Sequence, residues 1–315
     1  MTLNELRYIV AVARERHFGH AAEACFISQP TLSVAVKKLE EELGVSLFER
    51  RKGEVTVTPI GEQIVAQAQR VLEEASGIRQ IARQGQDQLD GPLRLGAIYT
   101  IGPYLLPHLI PVLAERAPKM PLVIEENYTA SLSDKLKRGE LDVIVISLPF
   151  EEPGVLTLPL YREPFVLLLP SSHPLNQKAD FEIGDLSKED VLLLGAGHCF
   201  RDQVIKVCPQ CIRRSTSEGG PAQTLEGGSL ETIRYMVASG LGVTILPCSA
   251  AGAERFSERL LNIRRFGPDA PSRVVALAWR KSFPRPQAVE ALRAAVLSCD
   301  MSCVEPLKDG DPALM

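Results

Sequence analysis

The stretch AAEACFISQPTLSVAVKKLEEELG, residues 21–44, constrains the fold more tightly than any other part of the chain. Phe18, Ala21, Ala22 and Cys25 suit a short helix whose small side chains let a neighbour approach closely. Ser28 is the expected N-cap of the next helix, with Pro30 in the first turn, where a missing N–H is harmless. Leu32, Val36, Leu39 and Leu43 recur at helical spacing and bury one face, leaving Gln29, Thr31, Ser33 and Lys37 on the other sides. Upstream, Leu3, Leu6, Ile9, Val10 and Ala13 repeat with the same period. Two short helices joined by a tight turn, the second opening with small polar residues, describe a helix-turn-helix. Glutamine, serine and threonine reach base edges there, while lysines and the helix N-terminus hold phosphates. LFERRKGEVTVT then reads as strand, Lys52-Gly53 turn and strand, a wing that brings Arg50, Arg51 and Lys52 to the duplex backbone or minor groove. The competing reading is a small protein-binding helical domain. Residues 1–58 hold eight Lys/Arg and eight Asp/Glu, so total charge does not decide between them. Segregation does, because Glu40, Glu41 and Glu42 lie away from the polar helix start.

The whole chain carries 35 Lys/Arg against 39 Asp/Glu, a net charge of −4, which argues against a generic polyanion binder and confines any nucleic-acid surface to a local patch. Its 315 residues suggest about two to three domains. No apolar run is long enough to span a membrane, and the N-terminus lacks a signal-peptide pattern, so a cytoplasmic protein is expected. Seven cysteines, an odd number unevenly spaced, do not form a secreted disulfide framework.

From Thr58, with Pro59 at the first helical position, a periodic segment runs to about Gln86. Ile60, Ile64, Ala68, Val71, Leu72, Ala75, Ile78 and Ile81 make an apolar stripe that needs a covering partner. DQLDGPL breaks the pattern at Gly91-Pro92. LRLGAIY, PLVIEEN, LDVIVISL, FVLLLP, GLGVTILP and VVALAW then read as strands, with helical patterns at 103–116 and 131–139, implying parallel α/β sheets. In such sheets ligands bind beyond the carboxyl ends of strands, which marks the loops AIYTIGP, NYTASL and GAGHCF. Thr100 and Thr129, on the first two, are either hydroxyl donors into a site or helix caps, and as isolated threonines read first as caps.

GHCFRDQVIKVCPQC, residues 197–211, holds three of the cysteines. A zinc site of His198, Cys199, Cys208 and Cys211 is disfavoured because adjacent His198 and Cys199 would both have to turn onto one metal. A thioredoxin-like CPQC should open a helix after a strand, whereas here it closes a helical pattern. The third reading makes Cys199 a reactive thiolate, with His198 and Arg201 as cationic or polar neighbours and a helix starting near Phe200. If Cys208 were its partner, nine helical residues would separate the two Cα atoms by ~13.5 Å. A disulfide needs about 4.4–6.8 Å, so bonding would require residues 200–208 to refold. Ordinary packing is the remaining alternative, and it is the reading given to Cys25 and Cys248; Cys299 and Cys303 read as packing or exposed residues.

The double alanine, SQPTLS, KKLEEELG, LFER and TPIGE, in that order, closely resemble the N-terminal signature of LysR-type transcriptional regulators. GHCFRDQ with a cysteine nine residues after its own, AIYTIGPYLLP, ENYTASL and GGSLETIRYMVASGLGVTILP are similar to peroxide-responsive members of that family, to about residue 300. The resemblance implies a winged helix-turn-helix domain at 1–58 and a dimerising linker helix at 59–87. It further implies a two-lobed α/β effector domain at 88–303, with lobe one at 88–162 and 268–303, lobe two at 163–267, and a disordered tail at 304–315. It makes Cys199 the peroxidatic thiol, Cys208 the resolving one, and Thr100, Thr129, His198, Arg201 and Asp202 the peroxide site. Ser28, Gln29, Pro30, Thr31, Ser33, Lys37, Arg50 and Arg51 become the DNA contacts. It implies promoter DNA, hydrogen peroxide, RNA polymerase and a resetting reductant such as glutaredoxin or thioredoxin as partners, and a homodimer or homotetramer. No cofactor or metal is expected. A family member responding to an organic metabolite, and a thiol peroxidase, are the alternatives. Cys211, absent from the expected pattern, offers Cys208 a second partner.

Overall fold

The computed structural model describes residues 1–51, 54–84, 87–178, 181–209, 226–252, 260–267 and 270–307. They divide into two compact units, Met1–Asp87 and Gln88–Met315.

The first unit contains α1 (Leu3–Glu15), α2 (Phe18–Ala24), α3 (Gln29–Leu43), β1 (Phe48–Arg51), β2 (Glu54–Val57) and α4 (Pro59–Gln84). Each start has a local cause. The Thr2 hydroxyl and Glu5 carboxylate form a capping box on α1, and the Ser28 hydroxyl accepts from the Thr31 amide at the head of α3. Gly44 ends α3 in the left-handed region, at φ +69°. Leu6, Ile9, Val12, Phe18, Leu32, Val36, Leu39 and Leu47 make the core. Leu43, expected inside, is 38% exposed because it closes the last turn, beyond the neighbouring helices. Glu40 Oε1 accepts from the amides of Leu47 and Phe48 at 2.7 and 3.2 Å and fixes the entry to the wing. On α4, Ala68 is buried and Ile64, Val65, Val71 and Leu72 pack on this core, but Ile60 and Ile78 are 43% and 68% exposed. The apolar stripe is therefore only partly covered within its own unit.

The second unit contains β3 (Leu93–Ile98), α5 (Gly102–Arg116), β4 (Leu122–Asn127), α6 (Thr129–Lys137), β5 (Val143–Ser147), β6 (Val155–Pro170), β7 (Leu193–Leu194), α7 (Cys199–Val207) and β8 (Glu226–Gly227). It continues with α8 (Leu230–Ala238), β9 (Thr244–Pro247), the single turn α9 (Cys248–Ala251), β10 (Leu261–Arg265), β11 (Ser272–Arg280), α10 (Pro286–Leu297) and β12 (Glu305–Pro306). The main sheet runs β10-β6-β11-β5-β3-β4, with β9 and β12 also on β6. It is mixed rather than parallel: β3 runs parallel to β4 and β5, while β11 is antiparallel to β5 and β6.

The 16-residue strand β6 joins two cores. Its first part, to Pro164, pairs with β11; its second, from Phe165, pairs with β9 and β10. Leu95, Leu109, Ile144, Leu277 and Leu292 centre the first core, and Phe165, Leu167, Phe200, Ile233 and Ile245 the second. These are two lobes crossed by one continuous strand. Only its FVLLLP part is legible from the sequence, because LPLYREP interrupts the apolar run. The first residues of the expected disordered tail are ordered: Glu305–Pro306 pairs with β6, and the Leu307 amide donates to the Leu160 carbonyl at 2.9 Å. Arg285 ties the start of the unit to α10, donating to the carbonyls of Gln88, Gly91 and Pro92.

Gly61, in the first turn of α4, lies where a Cβ would stand 2.3 Å from the Leu47 carbonyl oxygen, which backbone cannot easily yield. Gly61→Ala is expected to destabilise the first unit by about 1–3 kcal/mol, read as a lower midpoint for that unit in urea unfolding. An unchanged midpoint contradicts the contact.

Candidate functional site

Gly197, at φ +97°, turns the chain into α7, and a Cβ there would meet the Tyr128 ring at 3.3 Å. The turn leaves His198 as the N-cap and Cys199 as the first helical residue. From there the segment divides between the lobes. Phe200 and Val204 enter the second core, Phe200 edge-on to Phe165 at 5.1 Å, whereas Cys199 packs against the first core. Cys199 is a free, half-buried thiol.

His198 is 5% exposed, and its ring lies 4.8 Å from Tyr128 and 6.0 Å from Tyr99, two aromatic residues of the first lobe. Burial depresses its pKa below the usual histidine value, opposed by a hydrogen bond with the Gly228 backbone. The ring is therefore neutral at pH 7. Arg201 is committed elsewhere, to the Glu226 carboxylate at 2.7 Å and the Leu194 carbonyl at 2.5 Å, and Asp202 is exposed. Of the cationic or polar neighbours expected for Cys199, His198 is therefore a polar one. Arg201 is a cation held in an ion pair with Glu226, and Cys199 stands in the first turn of α7, at its positive end.

Neither threonine is a helix cap. Ile101 and Tyr128 hold the N-cap positions of α5 and α6, without side-chain capping bonds. Thr100 is buried, and its Oγ1 accepts from the Arg273 guanidinium at 2.9 Å while its carbonyl accepts from the same group at 2.7 Å. That orientation leaves the hydroxyl proton of Thr100 to donate elsewhere. Thr129 Oγ1, His198 Nε2 and Gln203 Oε1 are buried and have no hydrogen-bond partner among the described residues. Gln203 stands one turn after Cys199 on α7, and its Nε2 donates to Ser147 Oγ at 2.8 Å, across the lobes. Buried polar atoms are nearly always paired, so three unpaired ones on the elements flanking one thiol are unusual.

Behind them lies a buried ion pair. Arg273 Nε donates to Glu163 Oε2 at 2.7 Å, with the two side chains 0% and 1% exposed. The guanidinium also sits over the Phe200 ring at 5.4 Å, and Glu163 Oε1 accepts from the Ser249 hydroxyl and amide. Arg273, Glu163, Gln203, Ser147, Tyr99 and Tyr128 were missed in the sequence. Gln203 had a signal, its position four residues after Cys199; so did Arg273, a lone charge entering an apolar strand.

Cys208 is fully buried at the end of α7 and is disulfide-bonded, whereas Cys199 is free. The two are not joined to each other. Cys211 lies outside the described residues. Cys248, expected as a packing residue, and Cys303, expected as a packing or exposed one, form a disulfide.

In the first unit Ser28, Gln29, Pro30 and Thr31 are exposed at the head of α3, Ser33 is half-buried, and exposed Lys37 sits 3.7 Å from Glu41. Arg50 and Arg51 lie on β1, their side chains outside the described residues.

Residues 3–62 match the model of the bacterial regulatory helix-turn-helix protein, lysR family, and residues 86–298 match that of the LysR substrate binding domain. The chain belongs to the LysR family. Among curated LysR relatives, it is 38% identical to the DNA-binding transcriptional dual regulator OxyR of Escherichia coli K12, over 94% of this chain and 95% of that one. It is 40% identical to a probable hydrogen peroxide-inducible genes activator of Streptomyces viridosporus, over 94% and 93%. Among solved structures, a full-length Pseudomonas aeruginosa OxyR with a cysteine-to-aspartate substitution is 56% identical, with a TM-score of 0.77 over 95% of this chain and 96% of that one. A Corynebacterium glutamicum OxyR cysteine-to-serine mutant, described as H2O2-bound, is 35% identical with a TM-score of 0.61, over 94% and 91%.

A histidine buried in its neutral form binds fewer protons folded than unfolded as pH falls below about 6.5, so the stability it confers is present above that value and lost below it. In urea unfolding at pH 7.5, 6.5 and 5.5, wild type is expected to lose stability relative to His198→Gln as pH falls. A constant difference between the two contradicts the burial of a neutral ring.

Proposed function

We propose that this protein is a DNA-binding transcriptional regulator that senses hydrogen peroxide through Cys199. The observation that carries the reading is the set of buried polar atoms, Thr129 Oγ1, His198 Nε2 and Gln203 Oε1, that have no hydrogen-bond partner among the described residues and lie on the elements around the loop that presents a free thiol. Together with the Thr100 hydroxyl held by Arg273, they offer donors and acceptors to a molecule with two hydroxyl groups and little bulk. The peroxide-related names of the OxyR relatives support the same assignment.

In this reading the Cys199 thiolate attacks one peroxide oxygen, the O–O bond breaks, and the leaving hydroxide is protonated to water, giving a sulfenic acid. A Cys208 thiol then attacks the sulfenic sulfur, forming the Cys199–Cys208 disulfide and releasing a second water. Cys208 can do this only after its present disulfide has been reduced. Because α7 runs from Cys199 to Val207, the nine-residue rise of ~13.5 Å must collapse to within disulfide reach. That refolding pulls Phe200 and Val204 out of the second core, turning oxidation of one sulfur into a change of shape. Arg201, held by Glu226 and Leu194, and the exposed Asp202 form the outer flank of the peroxide site in this reading.

Ser28, Gln29, Pro30, Thr31, Ser33 and Lys37 contact operator DNA, with Arg50 and Arg51 on the wing. The uncovered part of α4 dimerises, two dimers share an operator, and RNA polymerase reads the rearranged tetramer. A cytosolic dithiol reductant of the glutaredoxin or thioredoxin class resets the switch. The protein is a one-shot sensor rather than an enzyme.

DNA footprinting of the fully reduced protein, with and without low-micromolar peroxide, tests this directly. Wild type shifts its footprint and Cys199→Ser does not; a serine variant that shifts equally overturns the thiol switch. Steady consumption of many peroxide equivalents per subunit would instead make it a peroxidase. Replacing the Thr129 hydroxyl removes one hydrogen bond worth about 1–1.5 kcal/mol. Thr129→Val is therefore expected to slow stopped-flow oxidation of Cys199 about tenfold, and an unchanged rate removes Thr129 from the site.

A further inference from the structure

Cys248 and Cys303 lie at a junction that the peroxide chemistry does not use. Cys248 opens α9 immediately after β9 and packs on the second core. Cys303 lies beyond α10, between that helix of the first lobe and β12. Their Cα atoms are 6.1 Å apart across 55 residues of sequence, within the range a disulfide spans without backbone movement. The contrast with Cys199 and Cys208 is physical: one pair must refold a helix to bond, while this pair bonds in the native fold.

Both residues are half-buried rather than enclosed in a core, with Ser302 and Glu305 exposed beside Cys303. Cys299, four residues before Cys303, is the competing thiol, but its Sγ is turned to the Ala295 carbonyl at 3.3 Å, and burial raises its pKa above the usual thiol value. Cys299 is free, and Cys303 bonds across the lobes instead. The bond fastens the segment whose β12 pairs with β6 at Tyr161 and Arg162, next to Glu163. Ser249, the residue after Cys248, donates to Glu163 from its hydroxyl and amide. The two half-cystines therefore bracket the point where β6 passes from one lobe to the other.

We propose that Cys248 and Cys303 form a second redox-active site, a dithiol that exchanges with low-molecular-weight disulfides and, once oxidised, clamps the C-terminal segment to the second lobe. One cysteine thiolate attacks a sulfur of the small disulfide, forming a mixed disulfide and releasing one thiolate. The other cysteine thiolate attacks the protein sulfur of that mixed disulfide, closing Cys248–Cys303 and releasing the second. Two protein thiols lose two electrons and two protons, and one small disulfide becomes two thiols. The site thus answers the thiol–disulfide balance of its surroundings, independently of the peroxide chemistry at Cys199, and registers it as anchoring of residues 304–307.

The test uses the full-length chain carrying Cys199→Ser, equilibrated in mixtures of reduced and oxidised glutathione, quenched by alkylation and mapped by mass spectrometry. The expected result is reversible, concerted loss of both thiols, with a linked peptide containing Cys248 and Cys303. Hydrogen exchange of the Leu307 amide, which donates to Leu160, is expected to be about tenfold slower in the oxidised form. Cys303→Ser and, separately, Cys248→Ala abolish that difference while leaving exchange in the first core unchanged. Three results overturn the proposal: a bond from Cys303 to Cys299, no oxidation of the pair at the most oxidising mixture, or equal Leu307 protection in both states.

Discussion

Much of the second unit depends on one buried ion pair. Arg273 and Glu163 are both shut off from solvent where β11 and β6 pair, close to the point at which β6 leaves one lobe for the other. Burying a charge is costly unless its hydrogen-bonding capacity is met. Here it is met by residues from different elements: Thr100 from the loop after β3, Ser249 from α9, and Glu163 itself. With one partner removed, the other is left buried and unpaired, a loss of about 3–5 kcal/mol in comparable cases. The pair therefore holds the lobes in register and aims the Thr100 hydroxyl, and its guanidinium covers the ring of Phe200, the residue after Cys199.

That arrangement explains how a thiol site can sit between two otherwise separate cores. Phe200 anchors α7 in one lobe while Cys199 faces the other, and the Gln203–Ser147 bond spans the same seam. A short helix whose buried residues are Phe200 and Val204, with Ile205 and Val207 only partly covered, is suited to be a two-state element. Its native packing is specific, yet few side chains must be released to undo it. The same seam carries Cys248 and Cys303, whose bond needs no such release. Two cysteine pairs in one domain are thereby suited to different tasks, one to changing shape and one to holding it.

The helix-turn-helix was legible because its determinants are local: a serine cap, a proline in the first turn, an apolar face at helical spacing. The segments of β3, β4, β5 and β11 were legible for the same reason. What escaped was non-local. Strand β6 is hidden by LPLYREP, whose charged Arg162 and Glu163 look like a strand end; Glu163 is tolerated only because Arg273, 110 residues away, meets it. Arg201 reads as a neighbour of the thiol, and its ion pair with Glu226 is one that no local pattern indicates. Cys248 and Cys303 looked like packing because their partnership spans 55 residues and two lobes. The threonines could be told from caps only once Ile101 and Tyr128 were seen in the cap positions.

The central claim, that oxidation of Cys199 is converted into unfolding of α7, can be read at one backbone amide. The Cys208 amide donates to the Val204 carbonyl at 2.9 Å in the last turn of the helix. In the fully reduced chain its hydrogen exchange should be slow, and one equivalent of peroxide should bring it close to the rate of an unstructured amide as the Cys199–Cys208 bond forms. Protection that survives complete oxidation of Cys199 would contradict the account.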